Sequence, residues 1–317
     1  MIEMCKGCDY MSNVSVKEIQ YKNFGRCVEV SNELVRVVVT LDFGPRIVCY
    51  SFLDGENIMY EDTERKFTNA SVEEIFGEPW YLYGGHRLWT SPEALPRTYY
   101  ADNDAVDFEF VENGVHVIQK TQKVNQYQCE MVITLSPDTT DVTVKHRITN
   151  RGLWDVSLSI WGVSSLSADG VEIIPQPTFK NGCYPNRTIA LWPFTKIADK
   201  RVTWGERYIL LRQDRENADP FKFGMNSQYP FAVYLNHGDV FVMKYDLKEC
   251  GTYPDGGSSF ETYTNRFFLE MESLGEYKTL APGESTEHCE YWSLAKGDVP
   301  QDLSDEGIDK FLEKYNI

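Results

Sequence analysis

The sequence predicts an all-β protein: one large antiparallel β-supersandwich with a short C-terminal helix. Three observations carry that expectation. Apolar and polar residues alternate with a period of two through most of the chain, β-branched and aromatic residues concentrate in those segments, and helical periodicity is scarce. More than a dozen such runs follow one another with no linker rich in Gly, Ser or Pro. One core over residues 1–317 is therefore favoured over two small domains, since large all-β units routinely reach this length.

Taken in order, residues 34–41 and 46–52 bracket the break at Phe43-Gly44-Pro45, and Asp54-Gly55 closes a turn before 58–60. Segments 106–112 and 115–123 flank Asn113-Gly114, a two-residue loop whose left-handed backbone preference suits hairpin twist. Segments 127–135 and 142–149 continue as a meander. Further strands are expected at 156–166, 171–174, 208–213, 231–236, 240–245, 267–273 and 287–293. Residues 71–76 read as one helical turn, and 303–315 places Ile308, Phe311, Leu312 and Tyr315 at the spacing of an amphipathic helix. The stretch 181–205 has weaker strand signals and reads as an ordered loop over one end of the sandwich.

Charge narrows the function classes. Forty-eight acidic against 31 basic residues give a net charge of −17, which opposes a polyphosphate, and no Lys/Arg cluster offsets it. Nucleic acid is not an expected partner. Residues 1–10 hold Glu3, Lys6 and Asp9 in place of an apolar leader core, and no run of ~18 apolar residues occurs, so a cytoplasmic protein without a membrane partner is expected. The eight scattered cysteines read as reduced thiols. Cys5 and Cys8 form a CxxC without a second pair, so residues 1–15 are expected to be a peripheral, inert terminus and not a zinc site. The glycosylation sequons at Asn13, Asn69 and Asn186 are silent in that compartment.

Two segments carry chemistry. Tyr83-Gly84-Gly85-His86-Arg87-Leu88-Trp89-Thr90-Ser91-Pro92-Glu93 gathers a histidine, an arginine, a tryptophan and a carboxylic acid around a glycine pair. His86 can transfer a proton near neutrality and Arg87 can fork two hydrogen bonds. The plainer reading is a polar loop whose Trp89 caps the core. In 267–273, Phe267, Leu269 and Met271 alternate with Phe268, Glu270 and Glu272, so the two glutamates share a face about 6.6 Å apart. Acids and glycines at Tyr253-Pro254-Asp255-Gly256-Gly257 and at Glu261 lie close by in sequence. Lys222 and Lys244, each flanked by aromatics, are candidate ligands for a polyhydroxyl or anionic group. The remaining histidines read as structural: His146 on the apolar parity of its strand, His116 beyond a hairpin, His237 in a turn, and His288 on an edge-like strand without a partner. No His-x-x-x-His or carboxylate–histidine spacing suggests a metal.

Leu269-Glu270, a short polar segment and then Leu280-Ala281-Pro282-Gly283-Glu284 resemble the C-terminal signature of the aldose 1-epimerases, or galactose mutarotases. The segment Trp154 to Leu166, entered by Ile148-Thr149-Asn150, resembles that family's central strand, and Tyr83-Gly84-Gly85 its His-Gly-Gly loop. The resemblance runs in order along nearly the whole chain. It implies a galactose mutarotase-like supersandwich that binds a hexose on a concave sheet, needs no metal or organic cofactor, and uses Glu270 as base. Two departures stand out: Tyr83 replaces the loop histidine, and Trp161 stands where the family has its proton-donating histidine. His86 is then the expected acid; Arg87, Glu93, Glu261, Lys222, Lys244 and Tyr83 are expected binding residues, and Trp89, Trp161 and Trp192 stacking walls. The function expected is an aldose 1-epimerase-like isomerase acting on a free hexose or related sugar. The alternatives are a non-catalytic carbohydrate sensor using the same site, or a glycoside hydrolase or lyase pairing Glu270 with Glu93 or Glu261. Homodimerisation is left open.

Overall fold

A computed structural model describes residues 13–180 and 182–317, so the Cys5–Cys8 pair lies outside the described residues. The strands are β1 Ser15–Gln20, β2 Arg26–Ser31, β3 Val35–Thr40, β4 Arg46–Phe52, β5 His86–Ser91, β6 Asp107–Val111, β7 Gly114–Ile118, β8 Tyr127–Leu135, β9 Val142–Asn150, β10 Val156–Leu166, β11 Val171–Pro175, β12 Ile189–Leu191, β13 Val202–Trp204, β14 Tyr208–Arg212, β15 Phe221–Met225, β16 Phe231–Asn236, β17 Asp239–Tyr245, β18 Phe260–Thr264, β19 Leu269–Leu274, β20 Lys278–Leu280 and β21 Ser285–Lys296. Helices α1 Ala70–Phe76 and α2 Asp305–Glu313 and one 3-10 turn, Lys22–Phe24, complete the set.

Two antiparallel sheets face each other. The first runs β1-β2-β3-β4-β5-β10-β19-β18-β15-β12, with β20 also pairing β10; the second runs β13-β14-β11-β16-β17-β21-β9-β8-β7-β6. Between them lies one continuous apolar core, built by every second residue of the facing strands: Val35, Val37 and Val39 from β3, Val142, Val144 and Ile148 from β9, Leu269 and Met271 from β19. Full burial of each such side chain contributes about 1.5–3 kcal/mol relative to exposure. Helix α2, capped by the Ser304 hydroxyl accepting from the Gly307 amide, buries Ile308, Phe311 and Leu312 against Ile173, Leu210, Val233 and Val240 on the outer side of the second sheet.

Most predicted strands stand within a residue or two of their expected ends, and the differences have local causes. The hairpin turn is Glu112-Asn113, with Asn113 at φ 56°, one residue earlier than expected. Of the expected peripheral terminus 1–15, residues 1–12 lie outside the described residues, and Ser15 already opens β1, paired with β2 along the sheet edge. Residues 58–60 make only the Met59–Leu166 bridge, and 181–205 contains the short edge strands β12 and β13. His288 does not sit on an edge, because β21 lies between β17 and β9. The six described cysteines are free. No helix among the described residues is long and apolar enough to cross a membrane.

Candidate functional site

The site is built on the outer face of the first sheet, where β5, β10, β19, β18 and β15 lie side by side. Cross-strand register aligns Arg87, Val163, Glu272, Glu261 and Gly224 in one row, and Ser165, Glu270, Tyr263 and Lys222 in the next. Diagonal contacts tie the rows together. The Arg87 guanidinium donates to Glu270 Oε1 at 3.0 Å and to Ser165 Oγ at 3.0 Å, while the Ser165 hydroxyl donates to Glu270 Oε1 at 2.7 Å. Lys222 Nζ lies 2.7 Å from Glu272 Oε2 and 2.8 Å from Glu261 Oε2, and Trp161 Nε1 donates to Glu272 Oε2 at 2.9 Å.

Aromatic side chains wall the cavity above these rows, which measures about 380 Å3. Trp80, Trp89, Tyr99, Trp161, Trp192, Tyr263 and Phe268 line it, with Arg87, Glu93, Lys222, Glu270 and Glu272. That size and lining suit a ligand of one or two sugar rings, whose C–H faces stack on aromatic planes. The cations are themselves packed on rings: Arg87 stands 4.1 Å over Trp89, and Lys222 4.5 Å over Trp161 and 4.7 Å over Trp192. Tyr99 donates its hydroxyl to Glu93. Two buried donors of the cavity, Arg87 Nε and Trp80 Nε1, have no protein acceptor among the described residues.

Burial shapes the electrostatics. Desolvation pushes the Glu272 and Glu261 carboxyls above the ordinary carboxylate range, with Lys222 pulling the other way. Burial works against the Lys222 charge, but the two glutamates outweigh it and the ammonium is held more firmly than in water. Both cations are thus engaged by carboxylates.

Of the residues singled out in the sequence, Arg87, Trp89, Glu93, Trp161, Trp192, Lys222 and Glu270 come together around the cavity, and Glu261 lies beneath its floor, only 1% exposed. Three do not. His86 is fully buried on the opposite face: Gly84 and Gly85, at φ 82° and 66°, turn the chain into β5, so His86 and Arg87 occupy alternate positions of one strand and point apart. Its Nδ1 meets Ser164 Oγ at 2.8 Å and its Nε2 meets His146 Nε2 at 2.7 Å, inside the sandwich. Tyr83 stacks on Phe43 at 4.0 Å and donates to Asn103 at 2.7 Å, away from the cavity. Lys244 is exposed on β17 of the second sheet. Sequence reasoning missed Ser165, although it lies two strand steps beyond Trp161 on the same parity, and Phe268, although it shares the alternation face of Glu270 and Glu272; for Trp80 and Tyr99 as walls no periodic signal existed.

No family model and no curated protein matches the sequence. Solved structures do resemble the fold. A candidate aldose 1-epimerase from Klebsiella pneumoniae superposes with a TM-score of 0.61 at 12% identity, over 96% of this chain and 86% of that one. A galactose mutarotase-like protein from Lactobacillus casei superposes with a TM-score of 0.56 at 9% identity, over 85% and 100%. A TPR-domain-containing protein from Parabacteroides distasonis gives a TM-score of 0.59 at 14% identity over 88% of this chain, which spans only 48% of that longer protein. From these likenesses and the two-sheet architecture, the chain has the galactose mutarotase-like β-sandwich fold.

Proposed function

We propose that the protein binds an uncharged sugar in the aromatic cavity and interconverts its anomers by acid–base catalysis, with Glu270 as the base. One observation carries this reading: Glu270 is a carboxylate only 7% exposed, fixed by Arg87 and Ser165, at the floor of a cavity walled by stacking rings. Glu270 takes the proton of the anomeric hydroxyl as the C1–O5 bond breaks. The electron pair moves to the ring oxygen, which takes a proton from Glu272. Rotation about C1–C2 and reversal of both transfers close the ring as the other anomer. Glu272 replaces His86 as acid because it lines the cavity, one two-residue step (~6.6 Å) from Glu270, and because burial favours its protonated form. Engagement of Arg87 and Lys222 by glutamates favours a neutral sugar over a phosphate or uronate. Arg87 Nε and Trp80 Nε1 are buried donors of the cavity lining with no protein acceptor among the described residues.

A second reading, binding without turnover, is favoured by one fact: the contact of Lys222 with Glu272 stabilises that carboxylate's charged form and opposes donation. Exchange spectroscopy of anomeric protons across a panel of aldoses separates the two. Faster exchange than in buffer, lost in Glu270→Gln, supports catalysis. Saturable chemical-shift changes without exchange support the sensor, and neither response to any neutral sugar removes both.

A further inference from the structure

Behind the floor of the cavity, sealed between the sheets, lies a second cluster. His86 of β5, His146 of β9 and Glu290 of β21 are each 0% exposed, and one ligand atom from each falls within 4.8 Å of the others. His86 belongs to the first sheet and the other two to the second, so the cluster bridges the sandwich. We propose that these three residues form a structural transition-metal site, of the zinc class, that ties the two sheets together.

The second nitrogens of the imidazoles carry the argument. His146 Nδ1 lies 3.1 Å from the backbone carbonyl of His288, which can only accept, so this ring donates from Nδ1 and presents a lone pair at Nε2. His86 Nδ1 has Ser164 Oγ at 2.8 Å, a hydroxyl able to accept in the same way, and its Nε2 faces His146 Nε2 at 2.7 Å. Two imidazoles held through Nδ1 and facing each other through Nε2 resemble metal-bound histidines; at 2.7 Å the Nε2 atoms stand at hydrogen-bond distance, and Glu290 Oε2 lies 3.8 Å from His86 Nδ1, so a bound ion spreads the rings to the ~3.3 Å that two tetrahedral metal–nitrogen bonds set.

Glu290 supplies the second observation. Its carboxylate accepts from the Ser273 hydroxyl and from Trp292 Nε1 at 2.7 Å, both neutral donors, and no Lys or Arg among the described residues pairs with it. A carboxylate so deeply buried is expensive unless it is protonated, paired or coordinating a metal. His288 Nε2, 2.8 Å from Ser273 Oγ, steadies that serine. Room for the cluster is kept by Gly162, where a Cβ would lie 2.4 Å from Glu290 Oε1 and 3.3 Å from His86 Cε1. Two imidazoles and one carboxylate suit zinc or its neighbours better than calcium or magnesium, which take mainly oxygen ligands. Enclosure on all sides points to a structural rather than a catalytic ion.

The rival arrangement is a metal-free hydrogen-bond chain, in which Ser164 donates to His86 Nδ1 and His86 Nε2–H donates to His146. The two differ in the His86 tautomer and are therefore separable without any activity assay. The full-length chain is unfolded in chelator, refolded with or without zinc or cobalt, dialysed, and assayed for bound metal, for cobalt visible absorption and for imidazole 15N shifts. The expected result is about one equivalent of metal per chain, the intense visible bands of low-coordinate cobalt, a raised melting temperature, and His86 protonated at Nδ1. Glu290→Gln, which keeps the shape of the side chain, should lose the metal. Absence of stoichiometric metal in refolded wild-type protein, with the proton on His86 Nε2, overturns the proposal. So does a folded Glu290→Gln variant that retains the metal and the same cobalt spectrum. The outcome is independent of whether a sugar binds on the other face.

Discussion

The two faces of β5, β10 and β19 put the same kinds of residue to opposite uses. On the outer face every glutamate of the floor meets a cation: Glu270 has Arg87, while Glu272 and Glu261 share Lys222. On the inner side, Glu290 meets Ser273 and Trp292, and Glu172, reaching across from β11, meets Thr262 at 2.7 Å; neither has a Lys or Arg partner among the described residues. Outside, charge is fixed beside an open cavity, where it can act on a ligand. Inside, carboxyls face only neutral donors of the chain in a sealed core. One step along β5 separates the two regimes, since Arg87 serves the first and His86 the second. Strand parity, and not residue type, therefore decides which polar group can reach a substrate.

The sharpest way to break this contrast is to alter one group on each face. Glu270→Gln should lower enzyme-accelerated anomer exchange by about 10²- to 10⁴-fold, the range typical of losing one general acid–base partner, with little change in the urea midpoint. His86→Asn should do the reverse, shifting the urea midpoint while leaving exchange per folded molecule near wild type. If exchange falls equally in both variants, the division of labour between the faces is wrong.

Titration provides the next test. Burial raises the Glu172 carboxyl well above the usual 4.5, its second oxygen has no hydrogen-bond partner, and only the Thr262 hydroxyl opposes the shift. A group whose folded pKa is raised contributes stability that is fully present below the unfolded value and lost as pH climbs through the folded one. Wild-type stability should therefore decline from about pH 4.5 upward at up to ~1.4 kcal/mol per pH unit from this group. Glu172→Gln cannot titrate, so its stability relative to wild type should grow with pH over that window in urea unfolding and be flat below it. A difference independent of pH would mean that Glu172 is not the group responsible.

How far the sequence could be read follows from the same parity. Glu270 and Glu272 were legible because alternation with Leu269 and Met271 marks two faces, and the greasy partner face is indeed core. Arg87 and Trp89 were found as residue types, yet the dense polar run after Gly84-Gly85 concealed that 86–91 is a strand, and His86 was placed beside Arg87 instead of behind it. His146 was read correctly as facing inward, but its partners are 60 residues upstream (His86) and 142 downstream (the His288 carbonyl), so no spacing rule could show the cluster. Trp89, Trp161 and Tyr263 stand on strands of the sheet, but Trp80, Tyr99 and Trp192 come from segments without periodicity, so the part of the wall they supply emerges only once those segments are placed.

Packing at the strand between the faces can be probed at Gly162. The added methyl of Gly162→Ala meets Glu290 Oε1 and His86 Cε1, both held in a dense core, so overpacking of about 1–3 kcal/mol is expected in urea unfolding. The same variant should leave sugar affinity nearly unchanged, because Gly162 is on the inner parity with Ser164. Loss of affinity larger than loss of stability would show that the inner cluster is coupled to the cavity.

The smallest effect is expected next door at Trp161→Phe, on the outer parity. Phenylalanine keeps a ring against Trp89, whose centroid lies 5.5 Å away, but removes the Nε1–H that donates to Glu272 Oε2. Lys222 still holds that oxygen at 2.7 Å, so the acceptor is not stranded and the loss should be near the ~1 kcal/mol net worth of one hydrogen bond. Trp161 also underlies the Lys222 ammonium, and phenylalanine is the weaker partner for a cation. Ligand affinity, measured by titration calorimetry with a neutral aldose, should thus fall modestly while melting temperature moves by a few degrees at most. A large stability loss instead would place Glu272 among the inner carboxylates in behaviour, dependent on neutral donors despite Lys222, and would erase the distinction between the two faces at this strand.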